Sequence, residues 1–178
     1  MIEVDISITN PELLALHEGD PSGADVRAYI IRKFDDEVPD DCVELKINTG
    51  LRMYDAGRRR NLTFLDIKLD EILTPRLTRL DTIEFEGNNF NFIQNFEHLG
   101  SIPTLREVRF PFFEKSDTIY YYSFITTFTQ IKKITLSLKS ARIDHIPTYL
   151  ENLKQLEEIT LKGELEINDR QANFFNDF

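Results

Sequence analysis

Four charged residues in the middle of the chain fall at alternate positions of two short segments, the spacing of a binding surface on β-strands. Glu84 and Glu86 flank one apolar residue, and Glu107 and Arg109 flank another. Side chains alternate between the two faces of a strand, so the charged residues would lie opposite the apolar ones. Such a surface can bind charged groups of another protein. The alternative is pairing for solubility, worth about 0.2–1 kcal/mol per exposed pair, with the expected pairs Lys46–Asp66, Glu84–Arg109 and Lys68–Glu86.

Three consecutive tyrosines, Tyr120, Tyr121 and Tyr122, form a second candidate binding site. Three adjacent residues cannot all face the core of one regular element, so at least one should be exposed. Tyrosine offers a large contact area at low entropic cost and is frequent in interface hot spots. The alternative is that some of these rings pack inside and the others cover a loop.

Catalytic and metal-binding patterns are absent from the sequence. His17, His98 and His145 have no metal-like spacing, and neither HExxH nor CxxC occurs. No Gly-rich phosphate loop is present. Cys42, the one cysteine, stands at an apolar position of a weak repeat and is expected to be buried. We therefore expect no enzymatic activity, no cofactor, no metal site and no small-molecule substrate.

The composition restricts the class of partner. The 178 residues are 41% hydrophobic and 29% charged, with a formal net charge of −10. This charge disfavours nucleic acid and anionic membrane surfaces, which attract basic faces, and it is compatible with a basic protein partner or simply with solubility. No apolar run approaches the roughly 18–20 residues that span a bilayer. With a single cysteine, these features predict a cytoplasmic protein.

The elements that would position the charged residues are revealed by an internal repeat. Leu80, Ile83 and Phe85 occupy positions one, four and six of a short segment. The pattern recurs at intervals of 25, 26 and 25 residues, at Leu105/Val108/Phe110, Ile131/Ile134/Leu136 and Leu156/Ile159/Leu161. Two weaker copies precede it, at Cys42/Leu45/Ile47 and Leu62/Leu65/Ile67. A period of 20–29 residues is typical of leucine-rich solenoids.

Each copy reads as a short strand that buries positions four and six by stacking on its neighbours in a parallel sheet. The connecting segments have apolar residues three or four apart, which predicts a helical or irregular second layer. Two stretches carry this pattern, with Phe92, Ile93, Phe96, Leu99 and Ile102 in one and Ile143, Ile146, Leu150, Leu153 and Leu156 in the other.

The two ends of the chain differ from the repeats. Residues 1–40 predict an N-terminal α/β cap, with a strand from Ile2 to Ile8, a short helix from Asn10 to Leu16, and a second helix from Ala24 to Phe34. That helix would bury Val26, Ile30 and Phe34. Residues 166–178, with Phe174, Phe175 and Phe178, predict a C-terminal cap or the beginning of a truncated repeat.

The motif Leu80-x-x-Ile83-x-Phe85-x-x-Asn88 resembles the LxxLxLxxN signature of leucine-rich repeat proteins, and 146–161 resembles the longer IPxxLxxLxxLxxLxL form. The copies are degenerate, because only Asn88 supplies the asparagine of the signature. The resemblance implies an α/β solenoid over residues 41–165, of about five or six turns, with a curved parallel sheet and a helical or irregular convex side.

The resemblance also implies non-catalytic protein–protein recognition on the concave sheet. We expect Glu84, Glu86, Glu107 and Arg109 to contact the partner there, with Tyr120, Tyr121 and Tyr122 at the edge of the sheet. Two alternatives stay open: an acidic inhibitor or immunity-type protein that masks a basic enzyme or toxin, and a structural segment of a larger repeat assembly.

Overall fold

The computed structural model describes residues 1–6, 11–12, 15–16, 24–48, 73–86, 99–113, 125–142 and 150–166, and its main feature is one parallel β-sheet. In the described residues six strands follow one another across the sheet in chain order. They are β1 (Ile2–Asp5), β2 (Glu44–Asn48), β3 (Thr82–Glu86), β4 (Glu107–Phe113), β5 (Lys133–Arg142) and β6 (Glu158–Glu166). One helix, α1 (Ala24–Glu37), precedes β2. The α/β class and the parallel sheet predicted from the repeat are confirmed.

The register of the sheet follows the repeat. In each strand from β2 to β6, the residue at position four of the repeat lies beside the residue at position four of the next strand. These residues are Leu45, Ile83, Val108, Ile134 and Ile159. From β3 to β6, residues that are 25 or 26 positions apart in the sequence therefore lie side by side on neighbouring strands. A register error of one residue would turn the apolar row toward solvent, so the alternation specifies the pairing.

One predicted strand does not have the place in the sheet that the repeat indicated. The weak copy at Leu62/Leu65/Ile67 should lie between β2 and β3, but these two strands are hydrogen-bonded to each other over all five residues of each. That part of the prediction is wrong. The segment itself lies outside the described residues.

The core lies on one side of the sheet and continues into the turns before the strands. Apolar residues recur every three positions through the turns that lead into β4 and β5 and at the start of these strands. All of them are buried: Leu99, Ile102, Leu105 and Val108, then Ile125, Phe128, Ile131 and Ile134. The amide N–H groups of Leu105 and Ile131 bond the carbonyl oxygens three residues earlier. This is the 3₁₀ spacing, which turns the chain quickly enough to place every third side chain inward. We call the four ranges 73–86, 99–113, 125–142 and 150–166 coils.

The coils are joined by a recurring backbone contact just before each strand. The carbonyl oxygens of Val43, Asp81, Arg106 and Lys132 each accept two amide N–H groups from the coil that follows. Side chains reinforce the contact, since the Thr104 hydroxyl donates to the Leu80 carbonyl at 2.8 Å and the Gln130 amide donates to the Ile102 carbonyl at 2.8 Å. Stacking therefore satisfies backbone groups that a single coil would leave exposed or unpaired.

Aromatic rings connect the coils inside the core. The rings of Phe85 and Phe110, at position six of neighbouring strands, are stacked with centroids 5.9 Å apart. Phe128 meets Phe110 edge to face at 6.3 Å, from the turn of the next coil. Phe110 is thus in contact with the coil on either side of its own, which makes it a central packing residue.

Helix α1 packs against the N-terminal end of the sheet. Helix α1 buries Val26, Ile30 and Phe34, as the helical spacing predicted. It continues to Glu37 and ends just before Pro39, because a residue preceding proline avoids helical geometry. Residues 11–12 and 15–16 are also helical, in agreement with the predicted short helix. No helix in the described ranges combines the length and apolar character needed to cross a membrane.

Arg76 connects this N-terminal region to the coil before β3. Its guanidinium donates to the Asp40 carboxylate at 2.8 Å, to the Asp35 carboxylate, and to the carbonyl oxygen of Val38 at 3.0 Å. The hydrogen bond to Asp40 raises the pKa of Arg76 above its ordinary value. The residue thus fixes the end of α1 and the following turn on the first of the coils.

We expect Phe110→Ala to lower the free energy of unfolding by about 3–5 kcal/mol, because it leaves a cavity between two coils. Phe110→Leu keeps most of the volume and should cost about 1–2 kcal/mol. Urea unfolding followed by circular dichroism measures both. Equal losses for the two variants would show that the ring does not pack as described.

Gly100 is the second test of coil stacking. A Cβ placed on it would lie 2.5 Å from the carbonyl oxygen of Thr127, which belongs to the backbone of the next coil. Gly100→Ala should therefore lower the free energy of unfolding by about 1–3 kcal/mol, as overpacking does. Glu151→Ala, at the corresponding exposed position of the last coil, should change it by less than about 0.5 kcal/mol in the same urea titration.

Candidate functional site

The face of the sheet opposite the core carries the sequence-predicted charged residues. Glu84 and Glu86 lie on β3, Glu107 and Arg109 on β4, and the four side chains are 21–53% exposed. Their apolar neighbours on the same strands, Ile83, Phe85, Val108 and Phe110, are buried on the other side. The alternation of the two strands therefore places all four residues on one accessible surface, which we call the charged face.

Arg109 is at the centre of one ion cluster on this face. Its Nε donates to Glu107 at 2.7 Å, and its Nη1 donates to Glu84 at 3.4 Å. Glu84 lies directly opposite Arg109 in the β3–β4 register, as expected from the sequence. The hydrogen bond to Glu107 raises the pKa of the Arg109 guanidinium above its ordinary value.

Lys46 is at the centre of a second cluster. Its ammonium group lies 2.5 Å from Glu86 and 3.4 Å from Glu3. Asp66 and Lys68, the partners expected for Lys46 and Glu86, lie outside the described residues. Direct pairing of β2 with β3 is what lets Lys46 reach Glu86, diagonally across the ladder.

Glu3 joins the charged face through β1, and sequence reasoning did not select it. Strand β1 pairs with β2 so that Glu3 lies beside Lys46. The alternation from Ile2 onward already indicated that Glu3 would point away from the core. What it could not show was that the N-terminal strand continues the same sheet and the same face.

Each of the two clusters contains one base and two carboxylates, so each has a net charge of −1. The cationic side chain holds both carboxylates in fixed positions. Less rotamer entropy is then left for binding to remove. On β5 and β6 the position-five residues are instead Thr135, which is buried, and Thr160, which is half-buried. Lys133 and Glu158 pair at 2.8 Å near the start of these strands. The two ion clusters therefore extend the charged face over the N-terminal part of the sheet, from β1 to β4.

The tyrosines Tyr120, Tyr121 and Tyr122 lie outside the described residues, as do His17, His98 and His145. Cys42 is buried, as its position in the repeat predicted, and its thiol donates to the carbonyl oxygen of Glu44 at 3.4 Å. Burial raises the pKa of the thiol, so little thiolate forms near neutral pH. Within the described ranges no three His, Cys, Asp or Glu side chains are grouped so as to hold a metal ion.

Comparison with protein-family models, curated proteins and solved structures found no match. Any functional assignment must therefore rest on the geometry of this chain.

The Lys46 cluster can be tested by titration. The hydrogen bond to Glu86 raises the pKa of Lys46, so Glu86→Gln should move that pKa down toward its ordinary value of about 10.4. Because the folded-state pKa is raised, the stabilisation is present below the unfolded-state pKa and is lost as pH rises through the folded-state pKa. NMR titration of the lysine side chains measures the shift. The pKa of Lys133, raised by Glu158, serves as the internal control and should not move.

Proposed function

We propose that this chain recognises another protein through the charged face of its sheet, without catalysis. The observation that supports it is a parallel sheet whose outer face carries the partly exposed side chains of Glu84, Glu86, Glu107 and Arg109. Parallel sheets in ordinary α/β proteins are covered on both faces. An open parallel sheet built from a repeated unit is instead typical of solenoids, which use that surface for binding.

The architecture proposed here is a solenoid of the leucine-rich repeat kind. Support comes from the regular interval between β3 and β6, from the three-residue apolar steps, and from the carbonyl that accepts two N–H groups at every junction. Under this proposal the N-terminal region is the cap and the turns before the strands form the convex side.

The proposed mechanism relies on side chains that are fixed before the partner arrives. Arg109 and Lys46 each bridge two carboxylates, so docking immobilises few free rotamers. A basic partner surface could contact the second carboxylate of each cluster while the internal pair stays formed. The tyrosine segment is proposed as a second contact region.

A sharper candidate is an acidic inhibitor or immunity-type protein that covers a basic enzyme or toxin. The net charge of −10 and the acidic excess in both clusters favour it. Charge steering would then speed association, and the rate would fall steeply with added salt. An association rate that does not change with salt would contradict this candidate. A structural segment of a larger repeat assembly is the other alternative, and a stable monomer in solution would count against self-assembly.

The proposal is tested by exchanging the two charges of one internal pair. Glu84→Lys with Arg109→Glu retains an ion pair and the net charge but inverts the pattern on the charged face. We expect the double variant to fold but to unfold at a slightly lower urea concentration than the wild type, because the new lysine lies opposite Lys46 and the new glutamate lies beside Glu107. It should bind a partner captured by the wild-type chain from its native host at least about tenfold more weakly, the loss of roughly 1.4 kcal/mol.

The control for this test is an exposed charge on helix α1, outside the strands that carry the charged face. Arg27→Glu on α1 should leave partner affinity within about twofold of the wild type, after allowance for a small change in steering. Undiminished affinity of the exchanged variant, measured by isothermal titration calorimetry, would rule out the charged face as the binding surface.

A further inference from the structure

The two ends of the sheet differ in how well their apolar residues are covered. At the β1 end Val4 and Ile6 are buried, and helix α1 contacts the strand. At the β6 end Ile159 and Leu161 are only partly buried, although the corresponding residues of β3, β4 and β5 are all buried. The last coil therefore has apolar surface that further packing would remove from water.

Strand β6 also has an open hydrogen-bonding edge among the described residues. It is the last strand of the sheet and has β5 as its neighbour. The Glu158 amide donates to the Lys132 carbonyl, so Glu158, Thr160 and Lys162 direct their backbone groups toward β5. Ile159 and Leu161 must then direct theirs toward the open edge. An edge of this kind is a template for another strand.

One antiparallel self-pairing of β6 places opposite charges directly across from each other. With a two-fold axis at Thr160, Glu158 of one copy lies opposite Lys162 of the other, and Ile159 lies opposite Leu161. An axis at Lys162 would instead place that lysine opposite itself, and an axis at Ile159 would place Glu158 opposite the uncharged Thr160. Like charges directly opposite each other are destabilising.

The register with opposite charges also satisfies the backbone. An axis at Thr160 makes Ile159 and Leu161 of the two copies hydrogen-bonded pairs, and these are the residues whose N–H and C=O groups face the open edge. Thr160 becomes the non-hydrogen-bonded pair, in which side chains come closest. Opposite charges and apolar contact therefore both favour this register.

We propose that two copies of this chain form a symmetric dimer by antiparallel pairing of their β6 edges about Thr160. The sheet then continues from one copy into the other, and the half-buried Ile159 and Leu161 pack against their counterparts. The interface is isologous, so every contact occurs twice. Head-to-tail stacking would instead join this edge to the β1 end, where helix α1 contacts the strand. The charged face on β1 to β4 stays accessible in each copy.

The test is a pair of complementary charge reversals on the full chain. Lys162→Glu alone and Glu158→Lys alone each place like charges opposite each other twice per interface, so each should raise the dimer dissociation constant at least about tenfold. An equimolar mixture of the two variants pairs opposite charges again and should form a heterodimer with nearly the wild-type constant. Sedimentation equilibrium over a range of concentrations measures all of these.

Controls separate the interface from the fold. Arg27→Glu changes the net charge as Lys162→Glu does, but at the opposite end of the molecule, and should dimerise like the wild type. A variant that has failed to fold would not be rescued by mixing, so recovery of the heterodimer supports the proposal in either case.

Four results would overturn the proposal: a wild-type chain that sediments as a monomer throughout, a wild-type chain that forms assemblies larger than a dimer, single variants that dimerise like the wild type, or a mixture that does not associate. The first would mean that something other than a second copy covers the edge, and the second would indicate head-to-tail stacking.

Discussion

The structure depends on the in-register stacking of apolar side chains between neighbouring parallel strands. A single coil has too little apolar surface to fold by itself, because each strand buries only alternate residues. When the coils stack, Ile83, Val108 and Ile134 lie side by side and become fully enclosed. Hydrophobic burial of these residues therefore fixes the register of each strand relative to the next.

The same constraint determines where the polar groups go. With the apolar rows inside, the alternate residues lie on the opposite face of the sheet, and a shift of one residue would bury four charges on β3 and β4. Unpaired buried charge costs far more than the stacking could return. The ion clusters around Lys46 and Arg109 are thus consequences of the register, although the pairs contribute little stability of their own.

Backbone hydrogen bonding adds a second reason for the regular interval. Each junction carbonyl accepts two N–H groups from the next coil, which requires the chain to return to nearly the same place at every step. Gly100 shows how closely the coils approach, since its position has no room for a side chain beside the backbone of Thr127. The two ends of the sheet differ from its middle. Helix α1 packs at one end, and apolar residues stay half-exposed at the other.

Strands β3 to β6, their spacing and their inner faces could be predicted from the sequence, because a period-two alternation repeated every 25 or 26 residues favours stacked parallel strands. The sequence also predicted the buried side of α1 and the pairing of Glu84 with Arg109. The fold was needed to show that β2 pairs directly with β3, which brings Lys46 to Glu86, and that β1 pairs with β2, which brings Lys46 to Glu3. Such contacts depend on which strands become neighbours, and a weak repeat such as Leu62/Leu65/Ile67 satisfies the local pattern without specifying its place in the sheet.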